Sequence, residues 1–102
     1  MSEPVFHLAE PDDWAGRTLQ YRPSSFAEEG FIHCSSGEQL PLVAAKLYPG
    51  RSDMILLEID TEVLGDDIVY EDLYQTGEDY PHIYEPIPVS AIISTETYTA
   101  AT

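Results

Sequence analysis

The stretch DMILLEI, residues 53–59, constrains the fold more than any other. It is almost continuously apolar, too short to cross a bilayer, and closed by polar residues at both ends. A strand of this kind needs cover on both faces, so the chain must build layers above and below it. The flanking sequence supplies further strands at 4–9, 17–21, 31–34, 67–74 and 89–99. The clearest helix lies in SSGEQLPLVAAKLYPG. There Ser36 stands three residues before Gln39, a capping-box spacing, and Pro41 is tolerable only in a first turn, which sets the start near Glu38. Leu40, Val43, Ala44 and Leu47 form an apolar stripe, and Pro49-Gly50 ends the helix. Shorter helical turns are expected within 10–16 and 22–30, and residues 75–88 read as a long, proline-rich aromatic loop. Strands, one main helix, then strands predict an α+β domain over residues 1–102 with a mostly antiparallel core.

Composition narrows the function classes. Nineteen acids face four bases, a formal charge of −15, which repels phosphate backbones and anionic lipid. Nucleic acid and membrane are therefore not expected as partners; a small-molecule ligand is, and a protein partner is left open. Acidity of this degree is otherwise a matter of solubility or a salt-rich habitat. Cys34 is the single cysteine, so no internal disulfide can form, and MSEPVFHLAEP has neither a basic n-region nor an apolar h-region. The expectation is a cytoplasmic protein. Arg17 and Arg22 flank RTLQYR just upstream of the histidine strand. They form either a local anion seat or ordinary partners for Asp12, Asp13, Glu28 and Glu29.

Strand parity organises the three histidines. In VFHLA, His7 points away from Phe6 and Leu8. In FIHCS, Ile32 and Cys34 share one face and Phe31, His33 and Ser35 the other. In PHIY, His82 and Tyr84 lie opposite Ile83. If the aliphatic residues point into the core, the histidines line a common groove beside Ser35, Tyr84 and Tyr21. The alternative is three unrelated surface histidines. Cys34 reads as a small buried hydrophobe, since a strand neighbour such as His33 cannot serve as its base. No histidine pair has zinc-motif spacing, so no metal is expected. The serines sit in no GxSxG elbow.

VFHLA with the following Trp14, YRPSSFAEEGFIHCSSGEQL, and YPHIYEPIPVSAI together resemble a bacterial family catalogued as domain of unknown function 952. GFIHCS and PHIY are its signature segments, although Glu85 stands where the family commonly has glycine. That family resembles in fold the ADP-ribosyltransferase superfamily. The resemblance implies a split pair of β-sheets around a cleft that grips NAD in the enzymatic members. It places His7 at the first-strand histidine that binds a ribose, His33–Ser35 at the second motif, and Glu71 or Glu85 at the catalytic glutamate. The candidate catalytic residues are His33, Ser35 and Glu71; the candidate ligand-binding residues are His7, Arg22, Ser24, His82 and Tyr84. Three functions follow: a nucleotide- or metabolite-binding module, an NAD-dependent ADP-ribosyl transferase with Arg22 on the pyrophosphate, or a small hydrolase or isomerase working through His33 and Ser35.

Overall fold

The computed structural model describes residues 3–102. The expectation of a leaderless N-terminus begins on Met1 and Ser2, which lie outside the described residues. In chain order the elements are β1 (Val5–Ala9), α1 (Pro11–Ala15), β2 (Gln20–Tyr21), α2 (Phe26–Glu29), β3 (Ile32–His33) and α3 (Leu40–Leu47). Then follow β4 (Met54–Ile59), α4 (Thr61–Leu64), β5 (Ile68–Glu71), β6 (Tyr80–Ile83), β7 (Ile87–Pro88) and β8 (Ile92–Tyr98). The strands form antiparallel sheets in the orders β1-β4-β8, β2-β7 and β3-β6-β5. The domain is α+β, with few and short helices.

The apolar run is the centre of the first sheet, as its continuity requires. Leu57 and Ile59 face one core, where they meet Val5, Tyr21, Ile32, Ile83 and Ile87. Met54 and Leu56 face a second, smaller core built with Leu8, Leu40 and Ala44. Helix α3 therefore covers one face of this sheet, and the other two sheets cover the opposite face. The capping box forms as expected. The Gln39 amide donates to Ser36 Oγ at 3.1 Å, and the Ser36 amide donates to Gln39 Oε1 at 3.0 Å. A turn occupies 37–39, so the helix proper starts at Leu40 rather than Glu38. Its stripe divides: Leu40 and Ala44 are buried, whereas Leu47 is 50% exposed.

The main departure from expectation is the aromatic segment. Residues 75–88 are not a loop throughout, because Tyr80–Ile83 form β6, the middle strand of its sheet. Pro81 disguises it, since proline is normally confined to sheet edges. The Cys34 amide donates to the Pro81 carbonyl at 3.0 Å, but Pro81 has no N–H to return the bond. The β3–β6 ladder stops there. The chain leaves β6 at this point, and Ser35 exchanges two 2.8 Å backbone bonds with Phe6 of β1. One proline thus sets where the chain passes from one sheet to the other. At the C-terminal end, 89–99 opens as a 3₁₀ turn, Val89–Ala91, before β8.

Candidate functional site

Antiparallel pairing puts His33 directly opposite His82. Their rings lie 5.6 Å apart and nearly perpendicular at 88°. Phe31 packs against both, at 4.8 and 4.4 Å between ring centroids. Ile32 and Ile83 point the other way into the core, as parity requires of these two strands.

Each imidazole is held by a carboxylate. His33 Nε2–H donates to Glu29 at 2.5 Å. Glu29 ends α2, and Gly30 turns the chain back with φ 81°, a left-handed conformation that glycine adopts without strain. His82 Nδ1–H donates to Glu71 at 2.9 Å, and the Tyr84 hydroxyl donates to the same Glu71 oxygen. These two donors hold the Glu71 carboxyl below the usual glutamate range, Tyr84 most and His82 next. The carboxylate in turn raises the Tyr84 phenol. Among the described residues no fully buried side-chain nitrogen or oxygen lacks a partner. His82 is only 1% exposed, and among the described residues its Nε2 has no hydrogen-bond partner; this edge of the ring borders an open space.

That space is a groove of about 400 Å³. Its floor is His33, His82 and Tyr80. One wall is the Val43, Lys46 and Leu47 face of α3, residues spaced to lie side by side on a helix. The other wall is Tyr74 and Thr76, on the segment between β5 and β6. Asp72 organises that segment by accepting from the Thr76 and Gly77 amides at 2.9 and 2.8 Å. Gln39 Nε2 ties it to α3 through Glu78 at 2.7 Å and the Asp79 carbonyl at 2.8 Å.

His7 is a correction. It does point away from Phe6 and Leu8, but β1 is buried on both faces, and the opposite face is the larger core rather than a groove. His7 is 8% exposed. Its Nδ1–H donates to the His33 carbonyl at 2.6 Å, which leaves Nε2 to accept from the Tyr21 hydroxyl at 2.8 Å. Burial lowers its pKa to about 4, so it is neutral at pH 7. Tyr21, expected beside the groove, is fully enclosed, and burial raises its phenol well above its ordinary value. The three histidines therefore share no single cavity; His33 links two environments, through its ring to His82 and through its carbonyl to His7.

The other expected site residues divide as well. Ser35 is buried, its backbone bridges β1, and no hydrogen bond joins its hydroxyl to any of the three histidines. It lines a separate hollow of about 30 Å³ with His7 and His33. Cys34 is buried, and burial raises its thiol pKa strongly. Arg22 is exposed over the Phe26 ring at 5.2 Å and is not part of the groove. Ser24 donates to Asp13 at 3.2 Å and lines an acidic hollow with Glu10, Asp12 and Asp53. Among the described residues no cluster of three or more His, Cys, Asp or Glu could hold a metal ion. No helix there is long and apolar enough to cross a membrane. Sequence reasoning missed Glu29 as the partner of His33, and Tyr74 and Lys46 as groove walls.

Residues 8–95 match the family model described as Protein of unknown function (DUF952). The chain belongs to the DUF952 family. The crystal structure of protein CC0527 from Caulobacter crescentus is similar to this DUF952 chain, with a TM-score of 0.83 and 28% identity over 92% of this chain and 84% of that one. The solution NMR structure of CC0527 gives a TM-score of 0.73 at 29% identity, over 94% and 84% of the two chains. Comparison with curated proteins finds no match.

Proposed function

We propose that this DUF952 protein binds a small molecule in the groove and performs acid–base chemistry on it, of the hydrolytic type. The observation that supports the reading is the pair of carboxylate-held imidazoles on one groove floor. Glu71 fixes the His82 tautomer by taking Nδ1–H, which leaves the Nε2 lone pair to act as base. In hydrolysis, Nε2 takes a proton from water as the water oxygen bonds to an acyl carbon. The bond to the leaving group then breaks, and the leaving oxygen takes that proton back from the imidazolium. Glu71, partly exposed, stabilises the transient positive charge as the carboxylate partner of a catalytic histidine does. His33, held by Glu29, is the second proton carrier beside the same reacting atoms.

The ADP-ribosyltransferase reading would require NAD, and the residues present do not fit it. Arg22 lies outside the groove, both His7 nitrogens are engaged inside the protein, and Glu85 is exposed. Lys46 is the only Lys or Arg on the groove walls to meet a pyrophosphate.

Hydrolysis of p-nitrophenyl acetate tests the proposal. The protein is expected to exceed an equal concentration of free imidazole by about 10²-fold, and His82→Gln to abolish that excess. A rate no higher than free imidazole would leave a binding module without chemistry, and an excess unchanged in His82→Gln would remove His82 as the base.

A further inference from the structure

The groove's own charges and ring faces narrow what it takes, given the acid–base reading above. The chain has four lysines and arginines among nineteen acids. Arg51 pairs with Glu10 and Asp53. Arg17 lies over Trp14 at 4.0 Å and donates to its carbonyl, and Arg22 lies over Phe26. Among the described residues, Lys46 alone of these four has neither a carboxylate within 4.0 Å nor an aromatic face beneath it. In so acidic a chain an unpaired ammonium is conspicuous, and this one stands on the groove wall.

The second observation is the pair of rings across the groove. Tyr74 lies nearly parallel to His33, at 17° and 6.3 Å between centroids. A flat group placed on the His33 face is therefore covered by Tyr74, with Val43 and Leu47 as apolar side wall. Tyr74 is 60% exposed, so its ring can move outward to admit such a group. Its backbone stays fixed by the Asp72 turn and the Gln39 tie.

We infer that the groove takes a small planar monocarboxylate, with the flat part between His33 and Tyr74 and the carboxylate on Lys46. A single negative charge fits the single unpaired cation, since the Glu29 carboxylate that also lines the groove is engaged by His33. A dianion would gain nothing further there, and the −15 of the chain would oppose it. The arrangement sets the planar part of the ligand beside His82 Nε2, where the proposed chemistry acts.

Binding of benzoate, benzamide and benzylamine, followed by amide NMR shifts of groove residues, tests this. Benzoate is expected to shift residues 43–47 and 74–82. Lys46→Gln is expected to weaken it about tenfold, the loss of one charge-assisted bond, and benzamide to bind about tenfold more weakly than benzoate. Tyr74→Ala is expected to weaken both ring ligands alike. Both substituted side chains are exposed, so the variants keep the fold. Benzoate that leaves the groove unshifted, that is insensitive to Lys46→Gln, or that binds no better than benzylamine overturns the inference. The neutral ester separates the two claims. Ester turnover without benzoate binding removes only the ligand class, and benzoate binding without turnover removes only the catalysis.

Discussion

His7 carries the clearest pH signature among the buried groups. Its folded pKa of about 4 lies below the ordinary 6.5, so the folded protein resists protonation that the unfolded chain accepts. The contribution is complete above pH 6.5 and is lost as pH falls towards 4. The shift corresponds to about 3 kcal/mol at the limit. Urea denaturation at pH 7 and pH 4.5 is expected to show that loss in the native chain and a smaller one in His7→Gln, which has no imidazole to protonate. Equal losses in both would mean that the acid sensitivity originates elsewhere. At this scale the sequence was a partial guide. Alternation located His33 and His82 on the face away from Ile32 and Ile83, because that sheet has one aliphatic face. It failed for His7 because β1 is buried on both sides, where alternation distinguishes one core from another and no longer inside from outside. Glu29 was hidden by Gly30, since a helix-end turn sets its approach to His33.

Short elements aim the groove's side chains. Helix α2 is one turn long, and its purpose in the architecture is to place Glu29 against His33 before Gly30 reverses the chain. A Cβ at Gly30 would meet nothing within 4 Å, so the cost of Gly30→Ala is conformational rather than steric. About 1 kcal/mol is expected by chemical denaturation. The His33 ring resonances should also shift as the Glu29 contact loosens; unchanged resonances would show that the turn does not position the dyad. The helix α3 and the strand β4 were legible because capping chemistry and a continuous apolar run are local signals. The strand β6 was not, because its proline and tyrosines have loop composition while its pairing depends on strands distant in sequence.

Across the whole molecule the charge of −15 is a standing strain on the folded state. Arg51 relieves it at one place, donating to both Glu10 and Asp53 where acids crowd the hollow beside α1. Thermal denaturation should show the native midpoint rising from low to 1 M salt as repulsion is screened. Arg51→Ala should lower the midpoint at low salt and by much less at 1 M. A deficit that persists undiminished at high salt would mean that Arg51 acts through packing over Tyr48 instead. The α+β class and the antiparallel pairing were readable from element order. The separation into three sheets was not, since no local pattern announces where one ladder ends and another begins.

Pro81 gives that separation a simple origin. A backbone nitrogen without hydrogen cannot answer Cys34, so the third and sixth strands part company there and the chain crosses to the first strand instead of zipping into one continuous ribbon. The crossing one residue beyond the paired imidazoles is in this sense the imprint of a missing hydrogen. Lengthening the ladder by one rung would carry the third strand further along the sixth and away from the first.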